Sequence, residues 1–324
     1  MSTLPDPPEP VLETAARELT QATAPHPRIY EVPPEQGREI LAELQNGEGV
    51  EKPPVDERWV DVDAGPHGTV RTRIVRPAWA VGDLPVLIYI HGAGWVFGDE
   101  NTHDRIVREI AVGAGVTVVF PVYDRAPEAK YPVQIEQNYA VAQWVGKYGH
   151  EYAMDPSHIA VCGDSVGGNM ATVLALMAAE RGDVDLHAQV LLYPVTNADF
   201  ETASYRQFSD GYYLTRDEMK WFWDQYLPDP AQRSDVYASP LQAPEDRLAA
   251  LPATLVITDE ADVLRDEGEA YAAKMRATGV DVTAVRVAGM VHDFMMLDSL
   301  RDCRATAAAL TLATDTVRRT LSPG

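Results

Sequence analysis

The sequence predicts an α/β fold, a doubly wound and mostly parallel sheet, on three observations. From Pro85 onward, short continuous apolar runs alternate with helix-length segments. A serine flanked by glycines stands where one of these runs meets the next helix. The alternation breaks once, for about sixty residues after Tyr193, and then resumes. Runs that are apolar throughout, not at every second residue, mark strands buried on both faces, and such strands need helices on both sides of their sheet.

In chain order, two amphipathic segments come first, near Val11 to Ala22 and Glu35 to Leu44, parted by the breaker run Ala24-Pro25-His26-Pro27. They belong to no βα alternation and read as an addition to the core. Trp59 to Val75 reads as two strands around Gly65-Pro66-His67-Gly68, an antiparallel hairpin. The parallel strands are then Val86 to Ile90, Val116 to Phe120, Ile159 to Cys162 and Val190 to Tyr193. The helices between them are Thr102 to Val112, Val133 to Tyr148 and Val166 to Glu180. The interruption, Asn197 to Leu251, is rich in Tyr, Trp, Pro and Asp. After it come the strand Thr254 to Thr258, a helix from Asp266 to Thr278, the strand Val282 to Val287 and a helix from Leu300 to Leu321.

Composition narrows the function. The 324 residues carry 49 acidic against 27 basic side chains, a formal net charge of −22. A surface this negative repels phosphate backbones and anionic lipid, so neither nucleic acid nor a membrane is an expected partner. Two cysteines, Cys162 and Cys303, cannot make a disulfide framework, and no Cys/His spacing suits a metal. Cys162 follows Ile159-Ala160-Val161 and reads as a small buried hydrophobe. The acidic, proline-rich start lacks the basic and apolar regions of a signal peptide, and no run approaches the roughly 20 apolar residues of a membrane span. A cytoplasmic protein is expected.

The chemistry centres on Gly163-Asp164-Ser165-Val166-Gly167. A serine held on a sharp strand-to-helix turn needs small neighbours two residues away on either side, because side chains there would strike the flanking strand and helix. The turn exposes the hydroxyl and sets the Val166 N–H at a helix N-terminus, where negative charge is favoured. A second glycine-rich loop, His91-Gly92-Ala93-Gly94-Trp95, follows the strand Val86 to Ile90 and can bring main-chain donors to a developing oxyanion. His91 itself reads as an organiser of that loop. The serine needs a base, and His292 follows a parallel strand in the short loop Ala288 to Phe294, at the sheet end where such folds assemble sites. His26, His67, His103, His150, His158 and His187 fall on loops, helix surfaces or strand starts, where solvation explains them. A carboxylate must orient the histidine. Asp266 and Glu267 suit a helix N-terminus, which leaves Asp259 and Asp262, and spacing does not separate those two.

Together these motifs resemble those of the hormone-sensitive-lipase-like esterases of the α/β-hydrolase superfamily. The chain has His91-Gly92-Ala93-Gly94 for their HGGG, Gly163 to Gly168 for GDSAGG, Tyr123 to Glu128 for YRLAPE, Asp262 to Gly268 for DPLRDEG and His292-Asp293-Phe294 for HGF. The order Ser, Asp, His agrees with the superfamily. The resemblance runs from about Pro85 to the C-terminus. It implies Ser165 as nucleophile, Asp262 over Asp259 as acid, His292 as base, and oxyanion donors from Ala93, Gly94 and Val166. It also implies a helical cap over an α/β-hydrolase core: residues 1–50 and part of 197–251 as cap, and 51–196 with 252–324 as core. Three departures stand out: Ala93 for a glycine, Asp293 for a glycine, and Asp124-Arg125 for Arg-Leu.

Among the aromatic residues of the interruption most are expected in the core of the cap. Trp95, Phe208 and Tyr212 are expected to line the substrate pocket, since pockets favour aromatic walls. The expected function is hydrolysis of small, neutral, short-chain esters through an acyl-enzyme, without cofactor or metal, by a chain that acts alone or as a homodimer. An amidase, an arylformamidase or a lactonase would use the same triad. A non-catalytic ligand-binding protein on this fold would be expected to have lost a triad member, and none is missing here.

Overall fold

The structure, a computed structural model, describes residues 9–47 and 49–322. The first eight residues, which hold much of the proline-rich start, lie outside the described residues. Helices α1 (Thr14–Thr23) and α2 (Pro34–Leu44) occupy the two amphipathic segments. Strands β1 (Val55–Asp63) and β2 (Thr69–Pro77) form the antiparallel hairpin. Gly68 closes its turn at φ 84° and ψ −152°, a conformation that side chains resist.

The alternating part follows as β3 (Leu84–Ile90), α3 (Asp104–Ala114), β4 (Thr117–Val122), α4 (Val133–Tyr148), β5 (Met154–Asp164), α5 (Val166–Arg181) and β6 (Ala188–Leu192). The interruption holds α6 (Ala203–Gln207), α7 (Arg216–Tyr226) and α8 (Glu245–Leu248). The chain closes with β7 (Ala253–Ala261), α9 (Arg265–Ala277), β8 (Val282–Val291) and α10 (Arg304–Leu321).

Among the described residues these strands form one sheet of eight, in the order β1-β2-β4-β3-β5-β6-β7-β8. From β4 to β8 every neighbouring pair is parallel, while β1 and β2 add an antiparallel edge. The chain leaves β3 for β4 on one side and returns to β5 on the other. That reversal leaves a crevice beyond the carboxyl ends of β3 and β5, where parallel sheets place ligands. Ile90 pairs with Gly163 across it, so the glycine-rich loop and the serine turn leave the sheet side by side. Helix α5 is buried along almost all of its length, from Val166 to Ala178, because it packs under this crevice and not at the surface.

One expected boundary is wrong in an informative way. β8 runs to Val291, so Ala288 to Val291 belong to the strand and His292 follows it directly. The register between β7 and β8 shifts between Asp259 and Ala261, and Gly289 takes φ 75°. An irregular strand with a left-handed glycine reads in sequence as a loop.

Candidate active site

The backbone dictates the serine turn. Ser165 sits between β5 and α5 at φ 54° and ψ −120°, a conformation rare for a residue with a side chain. Its N–H donates to the Leu192 carbonyl (2.8 Å), and its own carbonyl accepts from Asn169 and Val195 (3.1 Å each). These bonds hold the strained residue in place. A Cβ on Gly163 would strike the Gly167 carbonyl, and one on Gly167 would strike the carbonyl of Ile90. The turn therefore requires its small neighbours.

Side chains from three strand ends meet here. The Ser165 Oγ lies 2.9 Å from His292 Nε2, and His292 Nδ1 lies 2.8 Å from Asp262 Oδ2. The other oxygen of Asp262 accepts the Leu264 N–H at 3.0 Å. All three residues are at most 3% exposed. Burial alone would lower the basicity of His292, but the charge of Asp262, then that of Asp293, outweighs it and pushes the imidazole above its ordinary range. Asp293 Oδ1 stands 3.4 Å from His292 Nε2, and burial pushes this carboxyl up to about 6.

The glycine-rich loop is wound tightly. Ala93, Gly94 and Trp95 have φ of 70°, 67° and 62°, and no carbonyl among the described residues accepts the Ala93, Gly94 or Val166 N–H. Ala93 and Gly94 line the cavity beside Ser165, while Val166 follows the serine as the first residue of α5 and is fully buried. The loop is tied down from beneath by Asp164. Its Oδ1 accepts from Tyr89 Oη (2.8 Å) and the Gly92 N–H (3.1 Å), and its Oδ2 lies 3.2 Å from His103 Nε2. His91 stacks on Tyr123 at 4.2 Å, with its Nδ1 3.0 Å from the Gly92 carbonyl. Burial, then the neighbouring His103 charge, depresses the His91 imidazole to about 3, so it stays neutral. Arg125 donates to the Gly98 carbonyl (2.7 Å), so the altered YRLAPE element still braces this loop.

His103 corrects the sequence reading. It is not a solvated histidine: it is fully buried and ion-paired with Asp164. Burial works against its charge, but the Asp164 carboxylate raises its basicity on balance. Asp164 lay inside the serine motif and was the signal for this pair. Its partner, 61 residues away, had none. Glu267 is also more than a helix-terminal acid. It is buried and accepts the N–H groups of Thr196 (2.6 Å) and Asn197 (3.1 Å), tying α9 to the segment after β6. Cys162 is buried, as expected.

Above the serine opens a cavity of about 620 Å³, a size suited to small ligands. Ser165, His292, Ala93 and Gly94 line its floor, with Asp293 beside them. Its walls come from Phe97, from Tyr213, Leu214 and Phe222 of the interruption, and from Ile29, Ile40 and Leu41 of the N-terminal region. Trp95, Phe208 and Tyr212 do not line it. Trp95 is fully buried and stacks on Tyr226 at 4.2 Å, and Phe208 packs edge-on against Tyr212 with Arg265 over its ring. An aromatic-rich sequence marks such a wall without saying which rings face inward. Glu218, at the start of α7, also reaches the cavity, and its burial pushes the carboxyl up to about 8.

Asp259, Asp262 and His292 bring donor atoms within 4.8 Å of one another, a spacing that a cation could use. Asp262 Oδ2 and both nitrogens of His292 are already engaged in the chain that ends at Ser165, and Asp262 Oδ1 accepts the Leu264 N–H, so these side chains suit proton transfer.

A family model described as the alpha/beta hydrolase fold matches residues 87–296. The chain is 36% identical over 287 residues to a carboxylesterase, NlhH, of Mycobacterium tuberculosis, covering 88% of this chain and 85% of that one. It is 36% identical over 235 residues to an ethyl acetate hydrolase of Pseudomonas putida, covering 72% and 73%. A crystal structure of a thermostable esterase from Pseudomonas putida superposes with a TM-score of 0.92 at 42% identity, covering 98% of this chain and all of the other.

Proposed function

The chain belongs to the hormone-sensitive-lipase-like branch of the α/β-hydrolase fold family, and from that membership we infer that it is a serine carboxylesterase acting on small, neutral, short-chain esters. The observation that carries this reading is the unbroken chain from Asp262 through His292 to Ser165, at 2.8 and 2.9 Å, on the floor of a largely apolar cavity. His292 takes the Ser165 proton as Oγ attacks the ester carbonyl. The main-chain N–H groups of Ala93, Gly94 and Val166 receive the oxyanion. The imidazolium, held by Asp262, then protonates the leaving alcohol. Water activated by His292 releases the acid from the acyl-enzyme.

Residues 9–47 with α7 and its flanks serve as the cap in this reading, because both supply walls of the cavity. Esterase names among the relatives favour the ester over the amide or lactone. No described helix is long and apolar enough to cross a membrane.

The test is Ser165→Ala assayed with p-nitrophenyl butyrate. Loss of a triad serine typically costs on the order of a million-fold in turnover, so hydrolysis should all but vanish while circular dichroism and Tm are kept. A folded Ser165→Ala protein with near-normal activity would overturn the assignment.

A further inference from the structure

We propose that Asp259 is a positioning residue of this site: a carboxylic acid that keeps its proton and donates it in a hydrogen bond to Asp262, fixing that carboxylate against His292. The proposal rests on the reading of Ser165, Asp262 and His292 as the triad, and it deepens that reading by giving the acid a support of its own.

Asp259 lies on β7 opposite Val287, at the point where the register of β7 and β8 shifts. Three residues on, Asp262 leaves the same strand. The carboxyls of the two aspartates and the His292 imidazole each place an atom within 4.8 Å of the others. Asp259 is fully buried, and among the described residues no other residue donates a hydrogen bond to either of its oxygens; only its own main-chain N–H comes near. An ionised Asp259 would be a charge beside a second carboxylate, with no donor near it but its own main-chain N–H. Two buried carboxyls at this distance hold one proton between them.

The hydrogen bonds say which one holds it. Asp262 accepts an N–H on each oxygen, from Leu264 at 3.0 Å and His292 at 2.8 Å, the pattern of an ionised acceptor. Asp259 accepts from no other described residue, so the proton belongs there. Burial, then the negative charge of Asp262, pushes the Asp259 carboxyl far above the usual carboxylate range, in the same direction. An O–H so buried needs an acceptor, and Asp262 is the one in reach. The proton stays on Asp259 throughout. Its effect is to hold the plane of the Asp262 carboxylate and to draw off part of the charge that would otherwise strengthen the imidazolium.

The groups that face this pair come from several elements. His292 and Asp293 approach from the end of β8, and Tyr193 from the end of β6, with its ring centroid 5.0 Å from the imidazole. Tyr193 senses Asp259, while Tyr205 of α6 and Glu267 of α9 sense Asp262. None of these is a cation except the imidazolium itself, which makes the charge state of Asp259 legible in the titration of His292.

The experiment measures kcat/KM against pH for p-nitrophenyl butyrate with the full chain and its Asp259→Asn and Asp259→Leu variants. Asp259→Asn replaces a neutral donor by a neutral donor, so activity should stay within about threefold and the acidic limb should not move. Asp259→Leu keeps the branching of the side chain, is bulkier, and donates nothing. The less neutralised Asp262 should then move the acidic limb upward, with kcat down about tenfold. If Asp259→Asn shifts the limb downward by about one pH unit, Asp259 is an ionised neighbour and the proposal falls. If Asp259→Leu matches the parent in limb and kcat, the donor has no role and the proposal falls. Should Asp259→Leu fail to fold, Asp259→Ala supplies the donor-free state and is held to the same outcomes. Ser165→Ala and Asp262→Asn run in parallel. If they stay active, the triad reading itself has failed. If Ser165→Ala is silent and Asp262→Asn is down by about four orders of magnitude, the Asp259 variants bear on this proposal alone.

Discussion

At the scale of single residues, Asp293 and Ala93 each alter the site by one group, and each alteration has a measurable sign. Asp293 stands 3.4 Å from the nitrogen of His292 that must accept a proton. A carboxylate there stabilises the imidazolium, and the base works only once that proton has gone. The folded His292 is raised, so the acidic limb of kcat/KM should lie above the ordinary histidine value of about 6.5. Asp293→Asn removes the charge, tolerates the observed φ of 63°, and should move the limb down by about one unit. A limb that stays put would mean Asp293 is uncharged across the working range. Ala93 lines the cavity floor at φ 70°. Ala93→Gly keeps the main-chain donor and removes one methyl, worth about 1–3 kcal/mol of discrimination in a snug pocket. The variant should hydrolyse an acetate of a slim alcohol nearly as before and gain on esters of branched or tertiary alcohols. An unchanged ratio of kcat/KM between bulky and slim esters would place the methyl away from the substrate.

At the scale of elements, helix α7 presses on the oxyanion loop. A Cβ on Gly94 would run into the ring of Phe222. Left-handed backbone alone does not forbid a side chain in this loop, since neighbouring Ala93 already carries one at φ 70°. Gly94→Ala should therefore displace the loop through the Phe222 contact and cost roughly a hundred-fold in kcat, the scale of one lost oxyanion donor. Adding Phe222→Ala should restore part of that loss. A double variant no better than Gly94→Ala would assign the whole effect to backbone strain. The same elements show what a sequence can disclose. Strands buried on both faces announce themselves as unbroken apolar runs, so β3 to β7 and the helices between them were legible, and so were the serine turn and His292. What depends on direction or distance was not. Apolar character does not say that Trp95 and Phe208 face inward to the core while Phe97 and Phe222 face the cavity. No local pattern links His103 to Asp164. The family motif, not spacing, singled out Asp262 beside Asp259.

At the scale of the molecule, substrate size follows from a cavity of limited volume on a strongly anionic body. The cavity holds about 620 Å³ and is walled by the N-terminal helices and α7, and the chain carries a net charge of −22. Each methylene that enters an apolar wall gains about 0.8 kcal/mol, roughly fourfold in kcat/KM. The gain ends when the chain outgrows the cavity, because further methylenes stay in water and only cost entropy to order. A lipase escapes that limit by docking on its substrate phase. Here the net charge of −22 opposes docking on anionic surfaces. Across p-nitrophenyl esters kept soluble in detergent-free mixed solvent, kcat/KM should therefore climb from two carbons to about six and then fall. The same charge raises a second expectation in the same assay. A monoester carrying a free carboxylate should be slower than its methyl-capped counterpart, and that gap should narrow as added salt screens the field. A sixteen-carbon ester hydrolysed faster than a four-carbon one would mean that the walls around Phe222 and Leu41 part to admit long chains. The cavity volume would then not be what selects the substrate.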